Sequence, residues 1–525
     1  MSCMIKGKMR SGLLMPIFLG SFALQAAAIS GGSDAGTLKQ NLARDNKIIR
    51  IEPDRQRLLR NPQTGWVLYA TPGVKEDFWE KCDNMQVPGV GTVKVSDYAH
   101  TLYIRTSWRK LNPEENVYGW NTDPMLKMLI EGARARKMRL AFRVVVDSRD
   151  KGYDFTPDFV REAGTKGFVW RGRWSPYPDD PIFQKYYEKF VWALAKDFGN
   201  PDEVDFIDGT GLGKWGEYHT TLYSTGDEKP RKPVLDWLAD LYLKAFRDVP
   251  VVINYHRFVG AGKDWDDNKY DLDSEFLLDE VVEKGYSLRH DAFGMGLYYG
   301  EWERDFAKKY FGVRPILMEG GWITGKIHSF WVDPRNYRKG HPEDVRQGEF
   351  DDSKEARVNM MDFRVGETES WFHNTFPLVQ RFISEGGYRL YPDMISLPTD
   401  VAKNQKLRII HRWNNLGWGY CPTNIPQWNQ KYKVAFALMD SRNRVQKVFV
   451  DKQTDLSKWM QGIPAVYTFD LRLKGVTPGS YYWAVGLVDT TKDNAIGLEM
   501  AVPENMLNAG WANKKFTILG FGYTI

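Results

Sequence analysis

The feature that most constrains this chain is an alternation, eight times over, of short β-type runs with helix-length amphipathic stretches. The runs are Gly65–Ala70 (GWVLYA), Thr101–Trp108, Arg139–Asp147, Val204–Thr210, Val249–His256, Ser287–Gly296, Arg314–Trp322 and Glu367–His373 (ETESWFH). Between them lie stretches such as DPMLKMLIEGARARK, FQKYYEKFVWALAKDFG, PVLDWLADLYLKAFRD and FPLVQRFISEGG. Their apolar residues recur every three or four positions, as a helix with one buried face requires. Strands alternating with helices call for an α/β fold. Eight such units predict a (β/α)8 TIM barrel over residues 29–387, with ETESWFH as a short, polar eighth strand. From residue 388 to 525 the pattern changes to β-rich runs of period two, such as KYKVAFALMD and SYYWAVGLVD, separated by turn clusters DSRNR and TPGS. No helix-length pattern interrupts them, and an all-β sandwich is expected there. No low-complexity linker divides the two parts, so the sandwich is expected to pack directly on the barrel.

Composition narrows the function class. The 525 residues are 42% hydrophobic, enough for a sizeable core, and 72 basic against 67 acidic residues leave a net +5. The basic residues are scattered among acids, which gives no electrostatic case for a nucleic-acid partner. Residues 1–28 read as a signal peptide: Lys6, Lys8 and Arg10 precede an apolar run from Leu13 to Leu24, and Ala26, Ala27 and Ala28 follow it. The mature protein is therefore expected to be exported, periplasmic or secreted. No later apolar segment is long enough to insert in a membrane. Cys82 and Cys421 are read as unpaired thiols, although a disulfide between them stays open.

Barrels of this kind gather their working residues at the C-terminal ends of the strands. Two glutamates answer that description. Glu217 lies in GLGKWGEYHT after the fourth run, and Glu319 ends the seventh in PILMEGGW. A carboxylate at the tip of a buried apolar strand is costly unless it serves a purpose. Glycoside hydrolysis needs two carboxyl groups, about 5–5.5 Å apart for retention and about 6.5–9.5 Å apart for inversion. Glu217 is read as acid/base and Glu319 as nucleophile, and the like charge of one is expected to raise the pKa of the other and keep the acid loaded. Around them, Trp215, Trp322 and Trp371 either stack on sugar rings or fill the core. Asn254 and His256 end strand five, Asp291 lies within strand six, and His219 lies beside Glu217. Arg105 on the second strand either holds the nucleophile ionised or forms an interior salt bridge.

Glutamates after strands four and seven resemble those of the large clan of retaining glycosidases built on TIM barrels. RTSWRKLNPEENVYGW is similar to the stretch after the second strand in β-galactosidase-like members. GLGKWGEYHT with the terminal RWNNLGWGY and GSYYWAVGLVD resembles uncharacterised bacterial glycosidases that carry a C-terminal β-sandwich. The resemblance implies a retaining O-glycosidase without cofactor or metal, acting on an oligo- or polysaccharide, with a β-galactoside as the first expectation. It also implies that Tyr298 orients the nucleophile. One departure stands out: the clan's usual Asn before the acid/base is Gly216 here.

Two other readings remain open. A non-catalytic glycan-binding barrel would keep the groove without turnover, in keeping with Gly216. A metal-dependent hydrolase would use His219, His256 and His290, near the ends of three successive strands. The first run lacks a His-x-His and the chain has no HExxH. It has no GxSxG elbow either, and GTGLGKWG is a poor dinucleotide fingerprint. In the sandwich, Trp413, Trp418 and Tyr420 either bind carbohydrate or brace the barrel, with the brace preferred.

Overall fold

The computed structural model describes residues 46–149, 152–263, 272–296, 298–321, 342–398, 401, 406–511, 514–518 and 523–524. Residues 1–28, read as a signal peptide, and Trp322 lie outside the described residues. Eight parallel strands close into a barrel: β1 (Gly65–Ala70), β2 (Ala99–Ser107), β3 (Arg139–Val145), β4 (Val204–Asp208), β5 (Val251–Asn254), β6 (Ser287–Phe293), β7 (Ile316–Gly320) and β8 (Met360–Asp362). They neighbour one another in chain order, and β8 pairs with β1 to complete the circle. A helix follows each strand: α1 (Phe78–Asp83), α2 (Pro124–Ala135), α3 (Pro181–Phe198), α4 (Arg231–Ala245), α5 (Leu272–Lys284), α6 (Glu301–Tyr310), α7 (Pro342–Glu355) and α8 (Phe376–Glu385). Local chemistry starts several of them. Asp123 and Asp180 accept the first free N–H groups of α2 and α3, and a proline opens each of these helices.

The eighth strand is not the one expected from the sequence. Glu367–His373 does not form a strand; Thr368–Asn374 is a short helix, and the barrel closes through Met360–Asp362 instead. Trp371 and Phe372 point from that helix into the core, the adjacent pair of apolar positions a helix can bury together. Trp371 is therefore not a sugar-stacking residue. It is fully buried, edge-on to Trp66 at 4.9 Å, with the Arg346 guanidinium over its ring.

Two antiparallel sheets make up the β-sandwich. One contains β9 (Leu390–Pro398), β10 (Lys406–Asn415) and β13 (Ala465–Arg472); the other is built on β11 (Tyr432–Met439), β12 (Val445–Asp451) and β14 (Ser480–Asp489). The segment Asn46–Arg50, ahead of the barrel in sequence, runs antiparallel to β9 in the first sheet. Trp413 is buried against Trp459, while Trp418 donates its indole N–H to the Val358 carbonyl beside β8 and packs on Phe382 of α8. Asn359 donates to both the Gln63 and Tyr420 carbonyls, so the sandwich is tied to the N-terminal end of the barrel. Cys82 and Cys421 are both buried and unpaired.

Candidate active site

Strand pleating builds the site. Val67, Tyr69, Tyr103, Ala141, Phe206, Val252, Leu317 and Met360 form an apolar cluster inside the barrel. Two residues further along the strands, the same inward face presents Arg143, Asp208, Asn254, Glu319 and Asp362, because side chains repeat every second position. Arg289 and Asp291 share the inward face of β6, whereas Leu288 and His290 face out. The result is a charged layer resting on an apolar floor at the C-terminal end of the strands, where loops converge.

Arg143 organises it. Its Nη2 lies 2.7 Å from Glu217 Oε1, its Nη1 3.3 Å from Glu319 Oε2, and its Nε 3.6 Å from Asp208. One guanidinium thus holds both glutamates, which keeps their carboxylates within the roughly 9.5 Å upper limit for two-carboxyl glycoside chemistry. Arg289 also pairs with Glu319 and approaches Asp208. Arg364, just past β8, donates from Nη1 to Glu319 Oε1 at 2.8 Å, to Asp291 Oδ1 at 3.1 Å and to the Gly320 carbonyl at 3.0 Å. Tyr103 donates its hydroxyl to Asp208 at 2.9 Å. Glu217 and Glu319 are only 2% and 1% exposed, so this is a set of desolvated ions whose pairing is expensive to assemble.

Glu217 reaches the layer on a contorted loop. Gly211, Gly213 and Gly216 have φ near +70°, and so, at +59°, +60° and +52°, do Trp215, Tyr218 and Thr220. Non-glycine residues held there cost about 1–3 kcal/mol each and tend to mark functional sites. Hydrogen bonds pin the loop: Thr210 Oγ1 donates to the Gly216 carbonyl, Tyr218 N–H to Leu212, and Lys214 N–H to His219. The Gly216 departure has a backbone cause. Its φ is +75°, and a Cβ there would lie 3.3 Å from the Val144 carbonyl.

The other residues named from the sequence fall into distinct places. His219 Nε2 is 3.5 Å from Glu217 Oε2 and its Nδ1 is 2.8 Å from Thr220 Oγ1. His256 donates from Nε2 to the Glu217 carbonyl at 2.7 Å and accepts the Phe258 N–H on Nδ1, so it positions the loop as a neutral ring. Burial pushes its pKa down to about 3. Asn254 Oδ1 accepts the Asp291 N–H at 3.3 Å, and its buried Nδ2 has no hydrogen-bond partner among the described residues. Trp215 is half-buried, edge-on to His219, with Lys214 Nζ over its ring. Tyr298 packs on Ala292, Met295 and Phe258.

Two expectations need correction. Arg105 does not hold the nucleophile ionised; its Nη2 donates to the Trp215 carbonyl, a loop contact, and Arg143, Arg289 and Arg364 take the expected role at Glu319. The histidines do not form a metal set. Both ring nitrogens of His256 are engaged with backbone, and His290 lies outside the barrel wall against Tyr255 and Tyr299, its Nδ1 on the Asp291 carbonyl. The electrostatics around Glu217 pull in opposite directions. Burial pushes its carboxyl up, but Arg143 and His219 override that and hold it well below the usual carboxylate range. Burial together with the Glu217 charge pushes Asp291 up to about 6, and burial pushes Asp362 up to about 7. Asp208, Asp362 and the three arginines were missed in the sequence. The available signal was a charge in register with inward apolar residues, as Arg143 is with Ala141.

The fold and site define a (β/α)8 barrel with a buried carboxylate–guanidinium layer at its mouth, joined to a β-sandwich. No protein-family model and no curated protein matches the chain. Among solved structures, it is similar to an endo-β-1,4-mannanase from Thermotoga petrophila at 12% identity, covering 82% of this chain and 96% of that one, with a TM-score of 0.37. It is also similar to the endo-glycoceramidase II of Rhodococcus sp. (13% identity, 80% and 99% covered, TM-score 0.36). A third is the exo-β-1,4-mannosidase Op5Man5 from Opitutaceae bacterium strain TAV5 (11%, 64% and 57%, TM-score 0.35). Likeness at this depth carries no weight for function; the barrel and its site stand on their own geometry.

Proposed function

We propose that the chain is an exported glycoside hydrolase that cleaves an oligo- or polysaccharide by a retaining two-glutamate mechanism. The observation that carries this reading is the pair of buried glutamates, one on the loop after β4 and one at the end of β7, held by the one Arg143 guanidinium at the C-terminal mouth. Glu319 is the nucleophile: contacts from Arg143, Arg289 and Arg364 favour its ionised form, the form that attacks an anomeric carbon. Glu217 protonates the leaving oxygen and later deprotonates water. Trp215 and Asn254, whose buried Nδ2 has no partner among the described residues, are the sugar-binding groups beside them. A β-galactoside is the first substrate to try. The depressed Glu217 carboxyl and Gly216 favour a second reading, a barrel that binds glycans without turning them over.

A glycan panel run with wild type, Glu217→Gln and Glu319→Gln separates these readings. The hydrolase expectation is sugar release by wild type and a loss of at least about 10²-fold in each variant. Equal release by all three would overturn the assignment. Affinity with no release, even at high protein concentration, would support the binding protein.

A further inference from the structure

We propose that the hairpin between β3 and α3 seats an anionic stretch of the glycan, sugar rings bearing carboxylate or sulfate groups, on the leaving-group side of the site. The inference rests on the hydrolase reading for the direction of the glycan, but not for the binding itself. The hairpin pairs Gly167–Trp170 with Arg173–Pro176 in antiparallel register. Its two-residue turn, Arg171 and Gly172, has positive φ at both positions, +48° and +76°, the turn that suits right-twisted strands. Asn, Asp or Gly is the usual choice for the first of these positions. Arginine stands there instead, and its guanidinium lies 6.0 Å from the centroid of the Trp170 ring.

Charge and exposure set this hairpin apart. From Ala163 to Pro178 the chain carries Lys166, Arg171 and Arg173 and no acid. Neither Arg171 nor Arg173 forms a side-chain ion pair among the described residues. At the tip Trp170 is 47% and Val169 63% exposed, so an aromatic ring stands open to solvent beside these guanidinium groups.

The hairpin is continuous with the candidate active site. Phe168 pairs with Ser175 and Trp170 with Arg173, so these four share one face, while Val169 and Trp174 take the other. Ser175 Oγ donates to Asp147 Oδ1 at 3.2 Å just past β3, and the Arg149 guanidinium lies over the Phe168 ring. Asp147, Phe168 and Pro176 line one cleft with Leu212, Gly213 and Thr221 of the β4 loop, the loop that carries Glu217. Thr221 is 3% exposed, and its Oγ1 has no hydrogen-bond partner among the described residues, which suits it to a sugar hydroxyl. Glu217 hands its proton to the leaving oxygen, so the departing part of the glycan lies on this loop's side. A pyranose presents an apolar C–H face to an indole and carries its carboxylate or sulfate at the rim, where a guanidinium fork beside that indole meets it.

Calorimetric titration of the full-length protein tests this without turnover. The ligands are hexasaccharides of galacturonate, mannuronate, hyaluronan and sulfated galactan, with galacturonate methyl ester and unsulfated galactan as neutral controls. At least one acidic oligosaccharide should bind at least about tenfold more tightly than the controls. Trp170→Ala, and Arg171→Ala combined with Arg173→Ala, should each weaken that binding by at least about fivefold. If Trp170→Ala does not fold, Arg171→Glu at the exposed turn takes its place. No binding of any acidic oligosaccharide, equal binding of the controls, or unchanged affinity in either variant overturns the proposal. So does tighter binding of single-stranded DNA or of phosphatidylserine vesicles, which would make the hairpin a nucleic-acid or membrane contact. Sugar release from neutral glycans with no acidic binding defeats this proposal and leaves the hydrolase reading standing; acidic binding without release from any glycan does the reverse.

Discussion

Arg143 is the residue on which both glutamates depend, and its effect can be separated from theirs. Removing one partner of a buried ion set leaves the rest uncompensated, typically about 3–5 kcal/mol. Arg143→Ala is expected to lose about that much in denaturant unfolding; a loss below about 1 kcal/mol would contradict the layer described. Arg143→Lys keeps the charge without the fork, so it should retain more stability yet not hold both carboxylates. Asp362 offers a test with a definite sign. Its native pKa of about 7 lies above the unfolded value of 3.8, so the wild type binds the extra proton when folded. The group's contribution is complete below about pH 3.8 and is lost as pH rises through 7. Asp362→Asn keeps an acceptor for the Gly320 and Arg364 N–H groups, so its Tm relative to wild type should climb steadily from pH 4 to pH 8. A constant difference would contradict the shift. At this scale the sequence showed the two glutamates, one on the loop after the fourth strand and one at the end of the seventh, but not the arginines between them. Arg143 and Arg289 sit mid-strand, where a charge reads as an interruption, and only the barrel's inward register reveals that they face a common centre.

Among elements, the β4 loop gathers three non-glycine residues at positive φ, Trp215, Tyr218 and Thr220. A Cβ on Gly213 would lie 2.6 Å from the His219 carbonyl, at a φ of +69° that disfavours L side chains. Gly213→Ala is expected to cost about 1–3 kcal/mol in stability and to lower any turnover by at least tenfold, since Glu217 rides on the displaced loop. Wild-type kinetics in that variant would show that the loop does not position the acid. Seven of the eight barrel strands were legible because each carries four or more apolar residues or a clear turn boundary. Met360–Asp362 was not, because three residues are too few to show a period of two. ETESWFH was read in its place, and its error moved Trp371 from the core to the mouth. Arg364, two residues after the true strand, went unnoticed for the same reason.

Across the whole molecule, the sandwich packs directly on the barrel. Trp418 enters the barrel's own apolar cluster and bonds to the Val358 carbonyl, and Gly417 and Gly419 lie so close to Gly387 that no side chain fits. Trp418→Ala should cost about 3–5 kcal/mol and lower the stability of barrel and sandwich together in one transition. Two separated transitions in wild type would contradict that coupling. The division into barrel and sandwich was legible from the switch in hydrophobic period near residue 388. The return of Asn46–Arg50 to the sandwich sheet was not, since a five-residue strand carries no mark of the partner it pairs with. Pairing across some 350 residues is set by tertiary packing, and only the folded chain displays it.

The central claim, that two glutamates flank one anomeric carbon, is tested most directly by covalent trapping. Wild-type protein is incubated with a panel of 2-deoxy-2-fluoro glycosides bearing a good leaving group, then digested and analysed by mass spectrometry. One glycosyl unit is expected on the peptide containing Glu319, formed slowly or not at all in Glu319→Gln. A label on any other carboxylate, or efficient turnover of natural glycosides with inversion and no trapped intermediate, would contradict it.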